Sequence, residues 1–358
     1  MSSPFDPVTF LHGPVMPNRF MLAPLTNQQS HADGTLSEDE HRWLTMRATG
    51  GFGLTMTCAA HVQAVGQGFP GQLGIFGEQH LEGLTRLAAD LNAAGTVSYA
   101  QLHHAGNRAV GDVTGQQPVC PSDDPETGAR ALTGDEVQQV IADFVAAARR
   151  AQQAGFHGVE LHGAHGYLIC QFLSAEINRR TDEYGGTLEG RARLLFDIVA
   201  GIRRECGPEL ALAVRLSPER FGMQTAEIVE VYERLVASGD VDLIDMSLWD
   251  VRRVTDQPGF DDRPLLDVFA TLPRGEVRLG VAGKIHTPDD VQMVLDAGVD
   301  VPVLGRVAIL HHDYPRQLRA DAAFAPRRAP VPRDVLAAEG VSPSFVEYLA
   351  NTFRFVAD

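Results

Sequence analysis

Cysteine is scarce in this chain, with only Cys58, Cys120, Cys170 and Cys206. No two of them stand at C-x-x-C spacing, so a zinc or iron–sulfur centre is not expected and no metal is assigned. Scattered thiols in a chain of this size fit a reducing compartment, and the expected location is the cytoplasm. Long apolar runs are absent as well. No window approaches the roughly 18 residues of a membrane span, which excludes a membrane as partner. The opening Met-Ser-Ser-Pro-Phe-Asp has neither a basic n-region nor an apolar h-region, so no signal peptide is expected. Positive charge is in short supply: 30 Lys and Arg against 46 Asp and Glu give a net charge of −16. A polyanion gains nothing from displacing the counterions of a phosphate backbone, so nucleic acid is not an expected partner. An anionic nucleotide would need a local site of cations or backbone amides inside this negative envelope.

What is present is a repeating alternation of short apolar runs and amphipathic segments over 358 residues. Strands are expected at 20–23, 54–59, 97–102, 158–162, 210–216, 243–247, 277–281 and 301–304. They are rich in Val, Leu and Ile without strict alternation, as strands covered on both faces should be. Thr133 and Glu136 form a capping box, and Val137, Val140, Ile141, Phe144, Val145 and Ala148 recur at helical spacing until Gly155. Further helices are expected over 188–205, before Gly207-Pro208, and over 225–238 and 287–297, each followed by glycine. Eight strand–helix units read as an α/β protein of the (β/α)8 TIM-barrel class, one domain spanning 1–358 with the barrel over about 18–320. A doubly wound sheet is the competing architecture. The strand count and the lack of G-x-G-x-x-G after an early strand weigh against it. The stretch 106–134 reads as a long loop, and 326–332 as a Pro/Arg/Ala linker to a C-terminal tail over 326–358.

In a barrel, reactive groups belong at the C-terminal ends of strands. Thr26, Gln101, His162, Arg215 and Gly305-Arg306 stand at such ends. His162, His165 and Tyr167 project several polar groups from one turn. Spacing alone leaves open a structural histidine pair, or two zinc ligands lacking a third at a supporting spacing.

The run from His162 to Ser174 (His-Gly-Ala-His-Gly-Tyr-Leu at its start) and the run from Asn178 to Arg191 closely resemble the signature of the old yellow enzyme (NADH:flavin oxidoreductase) family. The segments 18–26, 101–106, 214–217 and 304–306 match it in the same order. The resemblance implies a (β/α)8 barrel with non-covalent FMN across its mouth, and NADPH or NADH as hydride donor. It implies an ene-reductase acting on electron-poor alkenes. By position, Ala23, Pro24, Leu25 and Thr26 would line the flavin, with Thr26 bonding O4. Ala59 would leave room for the ring, Gln101 would bond its pyrimidine edge, and Arg215 would face N1 and O2. Gly283, Lys284, Gly305 and Arg306 would hold the phosphate. His162 and His165 would bind the substrate's activating oxygen, Tyr167 would protonate the α-carbon, and Gln28 and Trp249 would face the substrate.

Several positions depart from the family pattern. Cys58 replaces an acidic residue, Gln28 a tyrosine of one subgroup, and Thr26 a cysteine of another. Asn107 interrupts an Ala-Gly-Arg turn, and 248–253 and 311–314 look unlike the common sequence. Relatives with an iron–sulfur cluster carry cysteines that this chain lacks. Reduction of nitro or nitrate-ester groups, oxidative demethylation or dehydrogenation, and a flavin-free barrel lyase or aldolase stay open as alternatives. So does a homo-oligomer.

Overall fold

The computed structural model describes residues 2–255, 257–260 and 262–357. Eight parallel strands close a barrel: β1 (Met21–Leu22), β2 (Leu54–His61), β3 (Val97–His103), β4 (Gly158–Gly163), β5 (Ala211–Leu216), β6 (Leu243–Ser247), β7 (Arg278–Ala282) and β8 (Val301–Leu304), in the order β1-β8-β7-β6-β5-β4-β3-β2. Each expected strand is present, with ends shifted by a residue or two. The first is short because only two residues complete the ladder. Its flanks still pair: Leu54 N–H donates to the Phe20 carbonyl and Ala23 N–H to that of Leu304.

Helices pack outside: α1 (Glu38–Thr49), α2 (Leu81–Ala93), α3 (Gly134–Ala154), α4 (Leu188–Cys206), α5 (Thr225–Ser238), α6 (Leu265–Ala270), α7 (Pro288–Asp296) and α8 (Tyr314–Ala320). The capping box at Thr133 and Glu136 starts α3, and Gly155, at φ +93°, ends it. Thr287 and Asp290 form a second capping box on α7.

Alternation along each strand sorts side chains into two cores. Met21, Leu54, Met56, Tyr99, Ala213 and Leu243 fill the lower barrel interior. Leu22, Ala60, Leu102, Leu161, Val214 and Ile244 face the helices. Val8 and Met16 form an antiparallel bridge, and with Phe10 they plug the bottom of the interior. A bulge in β2 between Met56 and Ala59 resets the alternation. Without it Cys58 would follow Met56 inward. Instead Ala59 faces the barrel mouth, while Cys58 joins the helix-side layer beside Glu40 of α1.

Two expectations change. The stretch 106–134 is not all loop: it holds a helical turn, Gly111–Thr114, and a two-stranded parallel pair, Val119–Cys120 with Arg130–Ala131. Two-residue strands carry no periodicity to read. The segment after 326 is not a linker and tail but a folded wall. It contains helices Arg333–Ala338 and α9 (Pro343–Phe353), and Val331 bridges Val356. The run 311–314 docks it. Arg327 N–H donates to His311 Nε2 at 2.8 Å, His312 Nδ1 meets Glu339 at 2.7 Å, and Tyr314 packs on Phe324. The unusual sequence at 311–314 therefore serves packing of this wall. No helix among the described residues is long and apolar enough to cross a membrane.

Candidate active site

The C-terminal ends of the strands open into an elongated cavity of about 1400 Å³. Ala23, Pro24, Leu25, Thr26, Ala59, Gln101, His162, His165, Tyr167, Arg215, Trp249, Gly283, Lys284, Gly305 and Arg306 all line it. Gln28 is the one expected residue outside this lining. It sits at φ +55°, and its carbonyl approaches Gly71 and accepts from the Ser344 hydroxyl.

The floor is a buried charge network. Register places Arg215 beside His162 on β4 and Asp245 on β6. Arg215 Nε lies 3.1 Å from Asp245 Oδ2, yet the angle is poor: neither that nitrogen nor either Asp245 oxygen has an aligned hydrogen bond. The guanidinium thus keeps donors for an acceptor in the cavity. Gln101 Nε2 donates to Glu160 Oε1 at 2.8 Å. Burial, then the neighbouring Asp245 charge, pushes the Glu160 carboxyl up, so it holds its proton at neutral pH.

The opposite end is cationic and bare. Lys284, the only lysine in the chain, sits at φ +54° with its ammonium 2.9 Å from Asp250. Arg306 and Arg328 cluster at His286, which burial and these two cations hold below its usual value. Among the described residues neither arginine has a carboxylate within ion-pair distance. A Cβ on Gly283 would meet the backbone of Val251 and Asp250 at about 3 Å, so glycine brings this loop close. A long cavity with buried donors at one end, small residues between and unpaired arginines at the other fits a flat ring carrying a phosphate arm.

The His162–Tyr167 turn owes its shape to two consecutive left-handed residues, His165 at φ +61° and Gly166 at φ +73°. Strain at a non-glycine residue is characteristic of functional positions. Ala164 N–H donates to His162 Nδ1, which leaves the proton on Nε2. That Nε2 lies 3.2 Å from His165 Nδ1, and His165 Nε2 lies 2.7 Å from the Ser247 hydroxyl. Burial drives both imidazoles well below their ordinary value, helped for His165 by the Arg215 and Arg108 charges. Both rings are neutral. Tyr167 packs edge-on against His162 and His103, with ring centroids 5.0 and 4.3 Å away.

Asn107 does not turn Arg108 aside. Its side chain accepts from Gln171 and donates to Asp124, while Gln171 also bonds the Gly166 carbonyl. Arg108 consequently lies 4.7 Å over the Tyr167 ring. Residues that sequence reasoning missed include Ser247, Arg220, Arg328, Phe345, Tyr348 and Phe353, all in the lining. Ser247 ends β6, so the strand-end rule could have found it. Tyr348, whose phenol faces Thr26 and Tyr167, comes from α9 and had no such signal.

The model of the NADH:flavin oxidoreductase / NADH oxidase family matches residues 4–324. A protein of Bacillus subtilis described as a probable NADH-dependent flavin oxidoreductase, YqiG, is 36% identical over 312 residues, covering 84% of each chain. The NADH:fumarate oxidoreductase of Klebsiella pneumoniae is 32% identical over 88% of this chain, which spans only 36% of that longer protein. Among solved structures, the old yellow enzyme homologue from Zymomonas mobilis superposes with a TM-score of 0.82 at 28% identity, over 96% of this chain and 99% of that one.

Proposed function

From the premise that the chain belongs to the NADH:flavin oxidoreductase / NADH oxidase family, and is an FMN-dependent, NAD(P)H-using oxidoreductase of the old yellow enzyme type, we propose that it reduces the activated C=C bond of α,β-unsaturated carbonyl or nitro compounds. Bound FMN would supply the redox chemistry, taking hydride from NAD(P)H and passing it to the β-carbon. Arg215, Gln101, Thr26 and the 23–25 segment would hold its ring. Gly283, Lys284, Gly305 and Arg306 would hold its phosphate, joined by Arg328.

The observation that carries the reading is the neutral His162–His165 pair opening on the same cavity as the Tyr167 phenol. With its proton on Nε2, His162 donates to His165 Nδ1, and His165 Nε2–H donates to the Ser247 hydroxyl. An acceptor entering the cavity would take the His162 Nε2–H, and a tautomer shift of neutral His165, with Ser247 turning to donate, would supply a second N–H. Negative charge gathers on the substrate's oxygen as the alkene is reduced, and donors already in place favour that charge over the ground state. Arg215 would stabilise negative charge on the bound ring. Tyr167, whose phenol O–H opens on the same cavity, delivers the proton to the α-carbon.

Tyr167→Phe tests this. The variant should stay yellow and be reduced by NAD(P)H at near the normal rate. Its single-turnover reaction with a simple enone should slow by about 10²–10⁴, the usual worth of a positioned acid. With a nitroalkene, unprotonated nitronate should accumulate. Equal slowing with enone and nitroalkene and no nitronate would mean that the phenol only props the histidines.

A further inference from the structure

The loop after β5 makes an unusual turn at the cavity lip. Arg220, Phe221 and Gly222 are consecutive residues in the left-handed region, at φ 71°, 56° and 72°. Trp249, after β6, is left-handed too, at φ 63°. Left-handed backbone at three bulky residues persists only where the surroundings hold it, and such strain gathers at ligand sites. Here the surroundings are visible. A Cβ on Gly222 would strike the Ser174 hydroxyl, and one on Gly166 would strike the Phe221 ring at 2.7 Å. The turn is therefore locked against the His165–Tyr167 turn. Phe221 and His165 both pack on Trp249, with ring centroids 6.3 and 5.6 Å away. Arg220 lies over the Trp249 ring, its guanidinium carbon 4.4 Å from the centroid.

Glu176 packs on Gly222 but is not within ion-pair distance of Arg220, and the carboxylates along the lip are engaged. Glu219 holds Arg253 and the Thr255 hydroxyl, Asp250 holds Lys284, and Asp290 holds Arg252. Among the described residues Arg220 has no carboxylate partner, in a chain with a net charge of −16. Stacking on an indole fixes the guanidinium plane and leaves its N–H edge free for two oxygens at once. Such a fork suits a carboxylate or a phosphate.

We propose that Arg220, set on Trp249, is a specificity-determining residue that binds an anionic group of the molecule whose reacting end lies at His162 and His165. That placement rests on the function proposed above. The shared chemistry is a carboxylate or phosphate oxygen pair, with two sources: the pyrophosphate of NAD(P)H, or a carboxylate carried by the alkene.

The test uses the FMN-loaded enzyme, wild type, Arg220→Ala and Arg220→Lys. Rapid-mixing reduction of the flavin gives the NADH and NADPH dissociation constants. Steady-state turnover gives KM for an enone bearing a free carboxylate and for its methyl ester. Arg220→Ala should raise the constant of at least one anionic ligand about tenfold, equivalent to about 1.4 kcal/mol, and leave the ester within twofold. Arg220→Lys should recover part of the loss. The wild-type constant should also rise with ionic strength, and that of Arg220→Ala should not. An effect confined to the nicotinamide assigns the anion to the cofactor, and one confined to the free acid assigns it to the substrate. Equal shifts for acid and ester, or shifts within twofold throughout, overturn the proposal. If neither enone were turned over at all, the ene-reductase reading would fail, while the flavin-reduction arm would still report on Arg220.

Discussion

In the lower half of the barrel, Met21, Leu54, Met56, Ala213 and Leu243 meet in an apolar core closed by Val8, Phe10 and Met16. Toward the C-terminal ends of the strands, the inward positions become Gln101, Glu160, His162, Arg215, Asp245 and Ser247. All are buried. One set of backbones thus carries two solvents. The lower half excludes charge and gains from burial. The upper half desolvates charge and recovers the cost through pairing, as Arg215 does with Asp245, or through a retained proton, as Glu160 does. The lesson is a division of labour by height: lesions below should cost stability, and lesions above should cost chemistry.

The strongest way to break this division is Leu243→Ala. Loss of a buried leucine from the lower core should reduce unfolding free energy by about 2–5 kcal/mol, read as a lower denaturant midpoint. Per folded, flavin-loaded molecule, both half-reactions should stay within about twofold. A selective loss of enone reduction would show that the lower core tunes the site. The next effect is acid lability of the upper half. Burial lowers His61 from 6.5 to about 4 and His104 to about 3, and drives His103, His162 and His165 well down. A depressed folded value means the unfolded chain binds more protons below pH 6.5. Stability is then full above 6.5 and lost as pH falls toward 4, by about 3 kcal/mol for His61 alone. A melting temperature that stayed flat from pH 7 to pH 4.5 would contradict neutral burial. The smallest effect belongs to Ser247→Ala. Losing one neutral hydrogen bond to His165 should slow enone reduction about fivefold to tenfold and spare flavin reduction, with Ser247→Thr restoring the rate. Equal slowing of both half-reactions would make Ser247 a folding residue only.

The barrel was readable because apolar runs and helix caps are local. Thr133 with Glu136 and Gly155 marks both ends of α3. The strand-end rule and the family motif coincide at Gln101, His162 and Arg215, and the structure gathers these three on one cavity. Three features escaped for physical reasons. The β2 bulge, which decides that Ala59 rather than Cys58 faces the mouth, depends on cross-strand register, and a single strand does not display it. Gln28 matched by position but lies outside the cavity lining, at a left-handed backbone angle that its sequence does not announce. Arg328 and Tyr348 lie in a segment whose composition reads as a linker and tail, and only tertiary packing through His311, His312 and Glu339 brings it to the mouth.

That last segment bears on how such a chain can be modified. Among the described residues no barrel strand follows Pro332, so a change beyond it disturbs no rung of the ladder and meets the barrel through side chains, as Phe345 does on Trp43. Yet Phe345, Tyr348 and Leu349 from that segment form cavity wall. That part of the cavity wall is thereby shaped by a segment that supplies no rung of the barrel.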